Sequence, residues 1–293
     1  MDWRESQAFL MYNCSSVLVC LFNERSARVS KTIVCIPKVL PRHLWVGAAR
    51  TASKVNPVNH PPVERLIRVM PTFRPTAEQI AVLTTKYWGA GGVKLGVGFL
   101  DSPPAELKDR IICHMNAWGK AANTEFCESS EDPQVRIARM TGAEGGYWSY
   151  LGTDILSIPY DQPTMNLEGF TMKTPPSELR RVVRHETGHT LGFPHEHIRK
   201  ELVDKINPVM AIAFFGATQD WSPDEVRQQV LTPLEVSSLL GPARADPESI
   251  MCYQIPGALT KDGEPIIGGV DIDEQDYAFA ASIYPKPPRS LSE

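Results

Sequence analysis

The chain has 293 residues, 42% of them hydrophobic and 22% charged, so it can bury a core and is not a disordered chain. Its net charge of −4 argues against a nucleic-acid binder. The length allows one large domain or two modest ones.

Charge is spread unevenly. Residues 1–75 hold 11 Lys and Arg against 4 Asp and Glu, whereas the rest holds 19 against 30. We read 1–75 as a basic N-terminal extension, prosegment-like in composition and Pro-rich toward its end, ahead of an acidic body at 76–293. The apolar run from Ala8 to Phe22 follows Asp2, Arg4 and Glu5, a poor basic n-region. No small-residue cleavage site follows, and the run is too short to span a bilayer comfortably, so no transmembrane segment is expected. Asn13-Cys14-Ser15 is a lone sequon. Localisation therefore stays open between secretion and the cytoplasm. The cysteines, Cys14, Cys20, Cys35, Cys113, Cys127 and Cys252, show neither a disulfide framework nor C-x-x-C pairs.

In chain order, LPRHLWVGAARTASKV supplies one helix of the extension. Thr76 with Gln79 forms a capping-box start for a short helix to about Thr84. VKLGVGFLD (93–101) alternates as a strand does. Ser102-Pro103 then opens a helix with Leu107, Ile111, Met115 and Trp118 as its apolar stripe. VRIARM (135–140), ILSIP (155–159) and TMNLEGF (164–170) read as further strands. Thr174-Pro175 opens a helix that buries Leu179, Val182 and Val183 and ends at Gly192, with Pro194 preventing its return. Ser222-Pro223-Asp224-Glu225 starts another helix. Asp273 is an N-cap for a last helix at 274–283, a better account of Asp271, Asp273 and Asp276 than a calcium loop of the wrong spacing. The order predicts an α+β fold: a mixed sheet backed by two long helices, followed by an irregular C-terminal part.

Within the second of these helices, His185, Glu186, His189, Gly192 and His195 fit H-E-x-x-H-x-x-G-x-x-H. Histidines four apart share a helix face, and the glycine lets the chain turn so that His195 can return to them. Composition alone would yield the long pattern in roughly one such chain in a hundred thousand, which sets aside a bland helix with surface histidines. Three neutral imidazoles with one open position are how a catalytic Zn2+ is held. Glu186, turned about 100° from its neighbour, does not ligate easily but can act as general base and acid for a metal-activated water. No G-x-S-x-G elbow, Walker loop or dinucleotide fingerprint competes. Cys252 reads as a packing cysteine, His114 as structural, and His197 as pointing away from the other three histidines.

The extended motif resembles that of the metzincin zinc endopeptidases, and Ser249-Ile250-Met251-Cys252-Tyr253 resembles their methionine turn. Glu196 and Arg199 after the third histidine, Tyr253 two residues after Met251, and GYWSYLG (146–152) bring it nearest to the astacin family. The resemblance covers roughly 84–285. It implies a zincin catalytic domain at 76–293 with a mixed five-stranded sheet, one catalytic Zn2+, and a peptide or protein substrate. It also implies Met251 as a floor below the metal and Tyr253 as a fifth ligand that moves to stabilise the transition state. TMNLEGF is implied as the edge strand that receives substrate. The extension lacks the family's F-x-G-D motif, and Cys252 stands where a histidine is usual. Cys35 in VCIPKV is then a candidate thiol block of the zinc. The alternative to a protease is a zinc-containing module that captures peptides without turnover.

Overall fold

The computed structural model describes residue 35, residues 38–60, isolated positions between 72 and 81, then 84–219, 221–233 and 245–288. All belong to one compact unit, residues 34–293. The Asn13 sequon, the 8–22 run and Gln79 of the Thr76 capping box lie outside the described residues. Ile80 N donates to Thr76 O and Thr84 N to Ile80 O, as in the short helix expected there.

Five strands form one mixed sheet: β1 (Val93–Phe99), β2 (Thr124–Glu128), β3 (Val135–Ala138), β4 (Tyr147–Ser149) and β5 (Met165–Leu167). Their order is β2-β1-β3-β5-β4, with every neighbour parallel except the antiparallel β4–β5 pair. In β1, Val93, Leu95 and Val97 are buried while Lys94 faces solvent, as the alternation predicts. β2 was not expected. TEFCE buries Phe126 alone, so an edge strand of this composition leaves almost no period-2 signal.

Two sequence expectations need correction. TMNLEGF is not the sheet edge: β5 lies between β3 and β4, and its three residues are all buried. The edge is β4, inside GYWSYLG. ILSIP is not a strand either. Residues Gly152–Ser157 form a 3-10 turn because Gly152, at φ 47°, presses against the Lys86 carbonyl, where a Cβ would collide, and Thr153 N donates to that same oxygen.

In the extension, helix α1 (Trp45–Val55) buries Ala48, Ala49 and Ala52. It is followed by Asn59, which is 1% exposed and stitched to the body. The Asn59 amide donates to the Ala52 and Tyr87 carbonyls and accepts from Tyr87 N and Thr85 Oγ1. A buried amide with all its valences met fixes one geometry.

Helix α2 (Ala105–Met115) buries Leu107, Ile111 and Met115 and packs against helix α3 (Pro176–Thr190). α2 begins at Ala105 with Pro104 at its cap, two residues later than Ser102 suggested. Beyond α3 come helix α4 (Pro208–Gln219), a single turn at Pro223–Val226 and helix α5 (Glu274–Ile283). Ser222 with Glu225 and Asp273 with Asp276 both form capping boxes. The C-terminal part has its own core, which includes Leu202, Ile206, Phe215 and Val226. Among the described residues no helix is long and apolar enough to cross a membrane.

Candidate active site

Helix α3 ends in a way that builds the site. Gly192 sits at φ 93°, Phe193 N donates to the Gly188 carbonyl at 2.9 Å and Gly192 N to that of His189 at 2.8 Å. This 6→1 and 5→2 pair closes the helix with a left-handed glycine, as the sequence predicted. Pro194 then leads the extended backbone of His195 back under the helix end.

The three histidines converge. His185 Nε2 and His189 Nε2 lie 3.1 and 3.0 Å from His195 Nε2. His185 Nδ1 donates to the Ile250 carbonyl at 2.6 Å and His189 Nδ1 to that of Phe193 at 2.8 Å. A carbonyl only accepts, so both rings carry their proton on Nδ1 and turn the Nε2 lone pair inward. Burial pushes all three imidazoles toward the neutral form, His189 down to about 4.

Three lone pairs aimed at one point repel each other unless a cation occupies it. Nitrogens about 2.0–2.1 Å from a tetrahedral zinc stand about 3.3 Å apart, close to the spacing here. The residues fit the metal.

A fourth donor completes the set. Cys35 Sγ lies with the histidine nitrogens inside a cluster whose ligand atoms are all within 4.8 Å of one another. It also donates to Glu186 Oε2 at 3.4 Å. Burial first, then the Glu186 charge, push the Cys35 thiol well up. Cys35 and Lys38 form isolated parallel bridges with Tyr147 in β4 and Tyr150 just beyond it, so Cys35 reaches the metal position from this sheet edge.

Glu186 is 1% exposed, and burial raises its carboxyl to about 8. Its Oε1 has no hydrogen-bond partner among the described residues, an orphan suited to a water or a substrate N–H. The phenol of Tyr253 is buried and donates its hydroxyl proton to the Cys35 carbonyl oxygen. Tyr253 therefore faces the extension here, its ring 4.5 Å from that of His195.

The methionine turn is held by a residue first read only as part of a calcium alternative. Asp276 accepts from Ser249 Oγ at 2.6 Å and from Ile250 N at 2.9 Å while completing the α5 capping box. Met251 then packs against Gly188, the residue between Glu186 and His189 that has no side chain to obstruct it. The Asp271–Asp276 group forms no metal-type cluster among the described residues. Cys252 is fully buried, as a packing cysteine should be. His197 does not join the inward-facing nitrogens; it bonds to the Gln229 carbonyl. His114 is half-buried, and its Nδ1 has no hydrogen-bond partner among the described residues. Glu196 forms an ion pair with Arg199 and accepts from Asp246 N at 3.1 Å.

Comparison with known proteins agrees with this geometry. A solved structure of myroilysin superposes with a TM-score of 0.64 and 30% identity, covering 69% of this chain and 97% of that one. The chain belongs to the astacin family of zinc metalloproteases. A second myroilysin crystal structure matches this astacin with a TM-score of 0.53 and 29% identity, over 69% of this chain and 86% of that one. The zinc metalloproteinase nas-27 of Caenorhabditis elegans is 27% identical over 119 residues, 38% of this chain. This chain spans about a quarter of the length of that curated relative. No protein-family model matches. The astacin identity agrees with this chain's mixed five-stranded sheet and with a histidine cluster able to hold one zinc ion.

Proposed function

We propose that this protein is a zinc-dependent endopeptidase whose catalytic domain, 76–293, is held latent by Cys35 of the extension at 1–75. The observation that carries the reading is the convergence of His185, His189 and His195, the first two with their Nδ1 protons tied to carbonyls. A zinc ion held by these imidazoles supplies Lewis acidity toward water and toward a peptide carbonyl.

The chain's own groups do the rest. Glu186, buried beside the histidines with Oε1 unpartnered among the described residues, takes a proton from the attacking water and passes it to the departing amine. Tyr253, once parted from the Cys35 carbonyl, has a hydroxyl to donate to the oxyanion. The backbone of β4 is the edge on which an extended peptide can lie, once Cys35 and Lys38 leave it. Cys35 Sγ would offer a bound zinc its fourth donor as a thiolate, and as a thiol it hydrogen-bonds to Glu186, so one side chain would obstruct both the metal's open site and the base.

Zinc analysis of the full chain, coupled to digestion of an unfolded protein after removal of the extension, tests the reading. One zinc per chain and internal cleavage products are expected. Zinc and bound peptide without products would instead establish the binding module, and trimming from chain ends would exclude an endopeptidase.

A further inference from the structure

His197 has no place in the metal set, yet it is fully buried two residues beyond His195. Its ring lies against that of Tyr253, centroids 3.9 Å apart and planes 17° from parallel. At its far edge Nε2 donates to the Gln229 carbonyl at 2.9 Å, which fixes the plane of the imidazole. The 3-10 turn Glu196–Ile198 that carries His197 is itself pinned, since Glu196 N donates to the Met251 carbonyl at 2.9 Å. Tyr253 thus touches two rings that are themselves 5.0 Å apart: His195, a ligand in the reading above, tilted at 4.5 Å, and His197, stacked face to face at 3.9 Å.

A phenol has two torsions to fix, and among the described residues its hydroxyl hydrogen-bonds to Cys35, a residue of the extension. That bond disappears when the extension leaves, whereas the stack on His197 comes entirely from the body and remains. We infer that His197 is the positioning residue of Tyr253, a fixed imidazole platform that keeps the phenol aimed at the reaction centre after the extension has gone. The inference rests on the reading of Tyr253 as the oxyanion donor. It assigns His197 no proton transfer and no contact with substrate.

The test has two arms. In the intact full-length chain, ring-labelled tyrosine is followed by NMR, with the Tyr253 signal assigned through Tyr253→Phe. His197→Leu should move that signal by removing the stacked ring, and His197→Phe should largely preserve it. In the second arm, kcat and KM are measured on the zinc-loaded protein freed of its extension. His197→Leu should lower kcat by roughly threefold to tenfold, the worth of one aromatic stack, with KM little changed. His197→Phe should recover most of the loss. In a Tyr253→Phe background, His197→Leu should cost almost nothing further.

An equal kcat loss in both backgrounds would overturn the inference, because His197 would then act through His195 or the fold. An unmoved Tyr253 signal would overturn it as well. If Tyr253→Phe alone left kcat intact, the oxyanion role of Tyr253 would fail, while the NMR arm would still report whether His197 orients the ring. Should His197→Leu lose its cooperative melt, His197→Gln replaces it, keeping a donor for Gln229 without a ring and carrying the same outcomes.

Discussion

Cys35 Sγ donates to Glu186 Oε2 at 3.4 Å across 151 residues of sequence, joining the extension to the glutamate beside the first histidine. Among the described residues Cys35 is the extension's one metal-type ligand in the histidine cluster. Cys35→Ala should therefore raise the basal peptidase activity of the intact chain by about tenfold or more, the effect of weakening a lock by about 1.4 kcal/mol. Peptide hydrolysis is measured on chains whose N-terminus is verified intact. A Cys35→Ala chain as silent as the wild type would show that the thiol is a bystander.

Glu186 is the group on which turnover, as distinct from metal binding, depends. It lies beside the inward-facing nitrogens without being one of the cluster's ligand atoms. Glu186→Gln should leave zinc content near one per chain and lower kcat by about a hundredfold to ten-thousandfold, the usual worth of a positioned base. Metal analysis and steady-state rates on the same preparation check this. Loss of zinc with loss of rate would mean that the carboxylate holds the metal or the fold.

The legible part of this molecule was the part encoded locally. His185, Glu186, His189 and Gly192 lie within eight consecutive positions, so helical periodicity and one left-handed glycine fix their relation. The capping boxes at Ser222 and Asp273 were readable for the same reason. What escaped depends on distant partners. Asp276 supports the methionine turn from 26 residues away, and Asn59 bonds to residues 28 positions on. The edge strand was misassigned because TMNLEGF and GYWSYLG carry similar apolar patterns, and pairing order alone decides which is outermost. Cys35 was visible as a thiol, but its place beside Glu186 follows from the path of the extension along β4.

Gly188 makes a prediction that its position in H-E-x-x-H conceals. A glycine inside a helix costs about 1 kcal/mol relative to alanine, so another contact should require it. A Cβ there would press into Met251 Sδ and come within 3.1 Å of its Cε and 3.2 Å of Trp118. Gly188→Ala should thus destabilise the protein by about 1–3 kcal/mol despite its better helix propensity, as overpacking does. Urea unfolding of the two proteins gives the number. A stabilised variant would mean that the methionine turn yields easily.

The pair Lys86–Asp154 carries a pH dependence open to measurement, because neither group belongs to the histidine cluster. The two groups stand 3.7 Å apart, too far for a hydrogen bond, beside a 240 Å³ cavity walled by Leu40, Trp45 and Ala48 of the extension. Burial raises the Asp154 carboxyl from 3.8 to about 6, only partly opposed by the Lys86 charge. Between about pH 4 and 6 the folded chain consequently holds more of this proton than the unfolded one, and the stability due to Asp154 falls as pH rises. That contribution is fully present below pH 4 and gone above about 6, a swing of at most about 3 kcal/mol. Asp154→Asn should remove this slope while leaving Lys86 to impose a roughly constant cost, since lysine ionises higher. Unfolding free energies of both proteins across pH 4 to 7, compared as differences, cancel the other carboxylates. Parallel curves through that window would show that Asp154 keeps an ordinary acidity beneath the extension.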